Sequence, residues 1–553
     1  MNELLNADCY PITVAPGLSR LFLDYCAGEA RARGFYGPSP LDQTPLDESW
    51  AARPPVPAHW PELVQLLALQ NAGSGPQADA ALEALRQGAG TVVTGQQVGL
   101  FGGPLFTPFK AATALARART ATAEGRPHSA IFWLASEDHD FAEINHVTFP
   151  ARRELKKLEY AAAPEAAIPV GPIVLDDSIT PLIDQAWDLL GGSDAMEALA
   201  AAYRPGRTFA QAFAEFYSKV FAAQGLLVLD ASGREAHRMG AHVLRAGLER
   251  ADELHTALQE RNRELETAGY HAQVAVGAQN SLLFLIDEKT GARMALKRTA
   301  PNAQEPAGLW QAERQDYSTA DLVGILEAEP ERISPAALLR PVFQDFLLST
   351  SLTIGGPAEI AYFAQSAVLF ERILGRMTLV QPRFSATLVE PAIGDLLRKH
   401  ELTLERVFQV GAENHGDDGA TALAQLLAAR AMPIEGKTKL AAAGNALDAD
   451  LTILLDWMRG QDEGLWRSAE TAASKMRYQM NRLRTQAANF QLQREASLGR
   501  HSETIWQALY PGGGLQERLH GAAYYFARYG FELAEELTAH AANPCPGHTA
   551  LWL

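Results

Sequence analysis

A chain of 553 residues carrying a formal net charge of −17 is too long for one ordinary core, so two to four structural units are expected. With 47% apolar and 20% charged residues the composition is that of a soluble globular protein. The acidic balance argues against general nucleic-acid binding, which neutralises phosphates with lysine and arginine, and no apolar stretch approaches the length of a membrane span.

The N-terminal stretch from Met1 to Asp8 lacks a basic flank and a long apolar run, which points to a cytosolic protein. Residues 1–90 read as a helical arm leading into a sheet, with helical segments at Trp60–Leu69 and Ala78–Gln87 and a proline-rich piece from Arg53 to Pro57. Cys9, Cys26 and Cys545 lie far apart without a C-x-x-C, so neither a disulfide framework nor a thiolate zinc site is expected. Lone cysteines of this kind are ordinarily small buried hydrophobes.

Residues 91–146 carry the strongest pattern. A strand at Thr91–Thr94 enters a glycine-rich turn containing Gly95, Gln96, Gln97, Gly99, Gly102 and Gly103, and a helix runs from there to about Arg119. A second strand, Ala130–Ala135, ends in Ser136-Glu137-Asp138-His139-Asp140. Short apolar runs ending in glycines or acids are what parallel strands look like when chemistry sits at their carboxyl ends. The glycines allow close backbone approach, and helix N–H groups beyond them can hold a phosphate or carboxylate. A tight packing turn would read the same way. The pattern is neither G-x-G-x-x-G nor a P-loop, since Lys110 comes a helical turn too late. In the acidic block, Asp138 and His139, with Glu143, Asn145 and His146 just beyond, can offer a general base, an amine-binding carboxylate or metal ligands. A solvated loop with a helix cap is the plainer alternative.

Residues 147–205 read as a first insertion, with a basic patch at Arg152, Arg153, Lys156 and Lys157 that resembles a solvated face. The core returns at 206–239 through a helix, Phe209–Ala223, and a buried strand, Gly225–Asp230. A second insertion, 240–332, holds a charged helix and a hairpin of Ser281–Asp287 with Arg293–Lys297. Over 333–389 the core ends with Arg340 to Asp345, an extended run into Gly355-Gly356-Pro357, a helix from about Ala358 bearing Glu359 and Tyr362, and a strand Met377–Val380 capped by Gln381-Pro382-Arg383. Gly355 and Gly356 before a helix-starting proline make a second place where backbone N–H groups face a ligand.

From 390 to 508 alanine, leucine and charge dominate. Ala469, Met476, Leu483 and Phe490 recur every seven residues, as do Ala473, Met480 and Ala487, so a helix over Glu463–Leu498 carries a coiled-coil seam. Its partner is either the preceding helix, about Leu447–Met458, or a second subunit. Residues 509–553 return to aromatic composition and are expected to dock on the core.

The segments TGQQVGLFGGPLFTPFKAATALARA, IFWLASEDHDFAEINHV, PAALLRPVFQD, IGGPAEIAYFAQ, Gln381-Pro382-Arg383 and Leu515-Gln516-Glu517-Arg518 with Tyr524 to Gly530 resemble the bacillithiol-biosynthesis cysteine-adding enzymes, a family of cysteine ligases. The resemblance runs in order along nearly the whole chain. It implies an α/β fold, with a Rossmann-like parallel-sheet core, two connecting insertions and a helical coiled-coil domain joining two subunits. It also implies addition of cysteine to the glucosamine amine of glucosaminyl-malate. Carboxylates are poor electrophiles, so ATP, with Mg2+ accompanying the nucleotide, is the expected activator through an acyl adenylate.

On that reading Asp138 or His139 orients or deprotonates the amine, while Gln96, Gln97, Thr107, Glu137 and Asn145 line one wall. Gly355, Gly356, Glu359 and Tyr362 line the other, and Arg340 or Arg383 binds malate carboxylates or a phosphate. Gly95, Gly99, Gly102 and Gly103 would cradle the nucleotide, and no resident metal is expected. The chain departs from class I synthetases in lacking both an H-I-G-H type turn and a K-M-S-K-S type loop. Two other classes stay open: a metal-dependent hydrolase or transferase on an aminosugar conjugate, and a noncatalytic nucleotide-binding scaffold.

Overall fold

The computed structural model describes residues 4–37, 55–151, 154–277, 279–299, 309–414, 418–543 and 545–553. Arg53 and Pro54 of the proline-rich piece and Arg152 and Arg153 of the basic patch lie outside these. The chain divides into two units, one of Met1–Phe149, Lys156–Ala386 and Glu517–Thr549, the other of Pro150–Leu155, Thr387–Gln516 and Ala550–Leu553.

The first unit is built on a five-stranded parallel sheet. Its strands are β1 (Gly90–Gln96), β2 (His128–Leu134), β3 (Leu227–Asp230), β4 (Thr350–Gly355) and β5 (Leu379–Pro382), in the order β5-β4-β1-β2-β3. All pairs are parallel, and the near-continuous apolar runs of β1 and β2 are buried on both faces, as parallel strands require. From β1 the chain winds outward through β2 to β3. It then returns to the other side of β1 for β4 and β5. That reversal leaves a crevice at the carboxyl ends of β1 and β4, where an open α/β sheet binds its ligands.

Helices cover both faces. After β1 comes α1 (Phe106–Ala123), α2 (Phe209–Val220) precedes β3, and α3 (Arg340–Leu348) and α4 (Pro357–Leu374) flank β4. The free edge of β3 is closed by side chains in place of a neighbouring strand. Asn71 donates to the Val228 carbonyl and accepts from its N–H, both at 2.8 Å, and Gln70 does the same for Asp230 at 2.8 Å. Two amide side chains thus supply what an edge lacks.

Between β3 and β4 lies a separate antiparallel sheet, with Asn280–Ile286 flanked by Arg293–Arg298 and Ile333–Pro335. The expected hairpin turn forms because Asp287 accepts from Thr290 N at 2.8 Å and Lys289 N at 3.1 Å, and Gly291 takes φ +71°.

The cysteine expectation is corrected. Cys9 and Cys545 form a disulfide, their Cα atoms 5.5 Å apart across a separation of 536 residues. No spacing rule could show this, because the pair exists only once the two ends of the chain meet. Cys26 is free and partly buried.

The second unit contains two long helices, α5 (Ile434–Arg459) and α6 (Glu463–Arg494). They pack as an antiparallel pair, with Arg477 bonded to Asp448 at 2.9 Å and Arg484 over Gly444. The heptad pattern divides between two faces. Ala473 is buried and Met480 and Ala487 are half-buried, whereas Met476, Leu483 and Phe490 are more than half exposed. No helix among the described residues is long and apolar enough to cross a membrane.

Candidate active site at the strand switch point

The crevice is a cleft of about 350 Å³ in the first unit. Gly95, Gln96 and Gln97 enter from the end of β1, Asp138 and Glu143 from beyond β2, and Gly356, Glu359 and Tyr362 from the start of α4. Phe106 and Lys110 of α1, Arg340 of α3, Arg383 after β5, and Arg518 complete the lining.

On the β2 side, one amide holds two acids. Gln97 Nε2 donates to Asp138 Oδ2 at 2.6 Å and to Glu143 Oε2 at 2.8 Å. Asp138 Oδ1 accepts from the His139 N–H at 2.7 Å. The carboxylates are oriented yet have no lysine or arginine ion pair among the described residues, so this wall suits an ammonium group or a proton in transit.

The floor is Lys110, 3% exposed. Its Nζ donates to the Gly95 carbonyl at 2.7 Å and to Gln96 Oε1 at 2.8 Å, and is paired with Glu359. Burial lowers its pKa, Glu359 opposes that, and Arg383 and Arg340 reinforce it. Glu359 also accepts from Gly356 N at 2.7 Å, closing the first turn of α4. The charge of Glu359 therefore serves both a helix start and a buried lysine.

On the remaining wall, Arg340 donates to Gln344 Oε1 at 2.9 Å and to the Tyr362 hydroxyl at 2.7 Å. Burial pushes Tyr362 up to about 12, although Arg340 pulls the other way. Arg383 is committed to Glu517 through both terminal guanidinium nitrogens, one at 3.0 Å, and to the Phe384 carbonyl at 2.8 Å. Its backbone N–H also donates to the Gly355 carbonyl at 2.9 Å. Side-chain exposures of 4% and 2% make Arg383–Glu517 a buried pair. Glu517 stays below the usual carboxylate range because Arg383 outweighs the opposing effect of burial.

Several residues expected at the site lie elsewhere. The turn at Gly99, Gly102 and Gly103 folds around two tyrosines. The Tyr203 hydroxyl accepts from Gly102 N and donates to the Gly99 carbonyl, each at 2.9 Å, and the Tyr217 hydroxyl donates to the Gly102 carbonyl at 2.7 Å. Gly102 and Gly103 need positive φ, but the Gly102 N–H is taken by a phenol, and these three glycines are outside the cleft lining. Thr107 is fully buried in α1. Asn145 is buried against Tyr160, donating to its carbonyl at 3.1 Å. Gly355 lies just behind Gly356.

Glu137 turns away to His237 at 3.1 Å, and His237 Nδ1 lies 3.0 Å from the Ile333 carbonyl. Burial would raise the Glu137 pKa, but His237 and then Arg293 bring it below the ordinary value. His139 faces the antiparallel sheet, with Arg293 Nη1 3.2 Å from its Nδ1 and Phe284 5.7 Å from its ring. A guanidinium has no acceptor, so in this contact Arg293 is the donor and His139 Nδ1 is engaged outside the cleft lining. This leaves Asp138 better placed than His139 to take a proton in the cleft.

Sequence reasoning missed Lys110, Phe106 and Arg518 as lining residues. A lysine within the apolar helix Phe106–Ala123 was the available signal, since a buried ammonium requires a partner. Among the described residues no group of three or more His, Cys, Asp or Glu is placed to hold a metal ion.

Residues 5–384 match the family described as bacillithiol biosynthesis BshC, N-terminal Rossmann-like domain. Residues 386–552 match bacillithiol biosynthesis BshC, C-terminal coiled-coil domain. Among curated relatives, "Putative cysteine ligase BshC" of Koribacter versatilis is 40% identical over 98% of this chain and 99% of its own. Proteins of the same name from Solibacter usitatus and Salinibacter ruber are each 30% identical, over 99% and 94% of this chain and 100% and 93% of theirs. Among solved structures, Thermus thermophilus arginyl-tRNA synthetase aligns at 12% identity and a TM-score of 0.18, over 86% of this chain and 85% of that one; a likeness that low carries no argument.

Proposed function

The chain belongs to the BshC family of bacillithiol biosynthesis, and on that premise we propose that it is a cysteine ligase joining the cysteine carboxylate to the glucosamine amine of glucosaminyl-malate. The observation that carries the reading is the pair of acids, Asp138 and Glu143, held by Gln97 at the switch-point cleft and facing a wall of cations. An amino sugar bearing carboxylates has the complementary polarity.

The amine enters protonated and is held by Asp138 and Glu143. To attack a carbonyl it must lose a proton, and Asp138 Oδ2, fixed by Gln97, is the proposed acceptor. Gln97 positions Asp138 and keeps the two carboxylates in register. Arg340, oriented by Gln344 and Tyr362, faces the anionic part of the substrate. Lys110 fixes the floor by holding β1 to α4.

ATP is the proposed activator of the cysteine carboxylate, with Mg2+ accompanying it, and when bound it supplies a leaving group that a free carboxylate lacks. Arg340 is the residue suited to its phosphates, since the first turn of α4 is already closed by the Glu359 carboxylate on Gly356 N. The turn at Gly99–Gly103 does not fit that task, since its Gly102 N–H is bonded to Tyr203.

We further propose a homodimer in the cytoplasm, joined through the open face of α6. Met476, Leu483 and Phe490 are more than half exposed apolar side chains on α6 that a second arm would cover.

The test is mass spectrometry of the purified chain with glucosaminyl-malate, cysteine and Mg-ATP, beside reactions omitting each. Cysteinyl-glucosaminyl-malate forming only with ATP supports the ligase. Absence of product in the complete mixture, from a folded protein, counts against it. Sedimentation of wild type and Leu483→Glu then checks the dimer, which the substitution is expected to dissociate.

A further inference from the structure

Three of the four cations lining the cleft already have partners. Lys110 is held by Glu359, Arg383 by Glu517, and Arg340 by Gln344 and Tyr362. Arg518 is different: it has no ion pair or hydrogen bond with another described residue, and it is exposed where it lines the cleft.

Its attachment is nevertheless rigid. The preceding residue, Glu517, accepts from Arg383, from Ser385 Oγ at 3.2 Å and from Ala386 N at 3.2 Å. A buried anchor therefore carries a free guanidinium at the next position. Arg518 also lies close enough to Arg383 for the two charges to repel. Glu517 is already bonded to Arg383, so the Arg383–Arg518 corner has one positive charge left over. An incoming anion would neutralise it, and a guanidinium fork matches the two oxygens of a carboxylate or phosphate.

We propose that Arg518 determines specificity by binding an anionic oxygen group, a carboxylate or a phosphate, on the β5 side of the cleft, while Asp138 and Glu143 hold the amine on the β2 side. This deepens the ligase reading and rests on it. Arg340 and Arg383, the arginines that stand out beside the core strands in sequence, then act as wall and support, with Arg518 as the free contact.

The experiment uses the full-length chain, wild type, Arg518→Ala and Arg518→Lys, each checked by thermal melting. KM and kcat are measured for glucosaminyl-malate, for methyl glucosaminide, which has the amine without the carboxylates, and for Mg-ATP. If Arg518 binds the carboxylates, Arg518→Ala lowers the preference for glucosaminyl-malate over methyl glucosaminide at least tenfold, mainly through KM, and Arg518→Lys recovers part of it. A tenfold rise confined to the KM of Mg-ATP identifies the anion as phosphate. Unchanged constants for all three in a folded variant overturn the proposal while leaving the ligase reading intact. If wild type forms no product, the ligase reading fails separately. Calorimetric titration with malate and with inorganic phosphate then decides: binding by wild type that is lost in Arg518→Ala upholds the anion site, and equal or absent binding rejects it.

Discussion

Glu137 and Asp138 follow one another at the end of β2, yet they end in different surroundings. Glu137 pairs with His237, whose ring is fully buried and has its other nitrogen against backbone carbonyls. Asp138 faces the cleft, about one-third exposed, bonded to neutral N–H groups. The same contrast separates Arg383, closed on Glu517, from Arg518 one residue further on in that pair. A charge with a charged partner holds the fold together, whereas a charge with only neutral or absent partners can still respond to a ligand. Position along the chain does not distinguish the two cases; the partner does.

The comparison is broken most directly by removing the open acid. Asp138→Asn keeps shape and hydrogen bonding to Gln97 but cannot take a proton at neutral pH, so turnover should fall by about 10²–10⁴-fold with the melting temperature nearly unchanged. Ligase turnover within a few-fold of wild type would remove Asp138 from the proton-transfer role. The complementary change strands a buried charge. Arg383→Ala leaves Glu517 uncompensated and should cost about 3–5 kcal/mol of stability, read from urea unfolding. Replacing Arg383 and Glu517 together by methionine and glutamine should recover much of that loss, because no buried charge then lacks its counterpart.

The smallest effect is on pH dependence. The Glu137 carboxyl lies below its ordinary 4.5 and the His237 imidazole above its ordinary 6.5; in both, the opposite charge outweighs burial. The carboxylate's contribution is present above 4.5 and lost as pH falls through the lower folded value. The imidazolium's contribution is complete below 6.5 and lost as pH rises through the higher folded value. Stability from this pair is therefore greatest between about 4.5 and 6.5. Urea midpoints measured across this range should decline on its alkaline side in wild type, and that part of the decline should disappear in His237→Gln. An identical profile in the variant would mean the pair does not titrate as a unit.

Much of the core was legible because parallel strands announce themselves as short apolar runs. The β1 and β2 segments, the turn at Gly355-Gly356 and the acids after β2 were all visible locally. What escaped depended on distant partners. Lys110 looked misplaced for a phosphate loop because Glu359, which explains it, lies 249 residues further on. Gly99, Gly102 and Gly103 carried the composition of an anion-binding turn, but Tyr203 and Tyr217 occupy its polar groups. His139 and Asp138 looked equivalent until Arg293, from the second insertion, reached the imidazole. In α6 the period was readable while its division was not: Ala473 is buried, whereas Met476 and Leu483 are exposed.

The Cys9–Cys545 bond closes the chain between these two residues into a covalent ring. Cutting a ring once opens it without dividing it. A single proteolytic nick anywhere between the two cysteines therefore leaves one covalent molecule, which separates into two fragments only when a thiol reductant opens the bond.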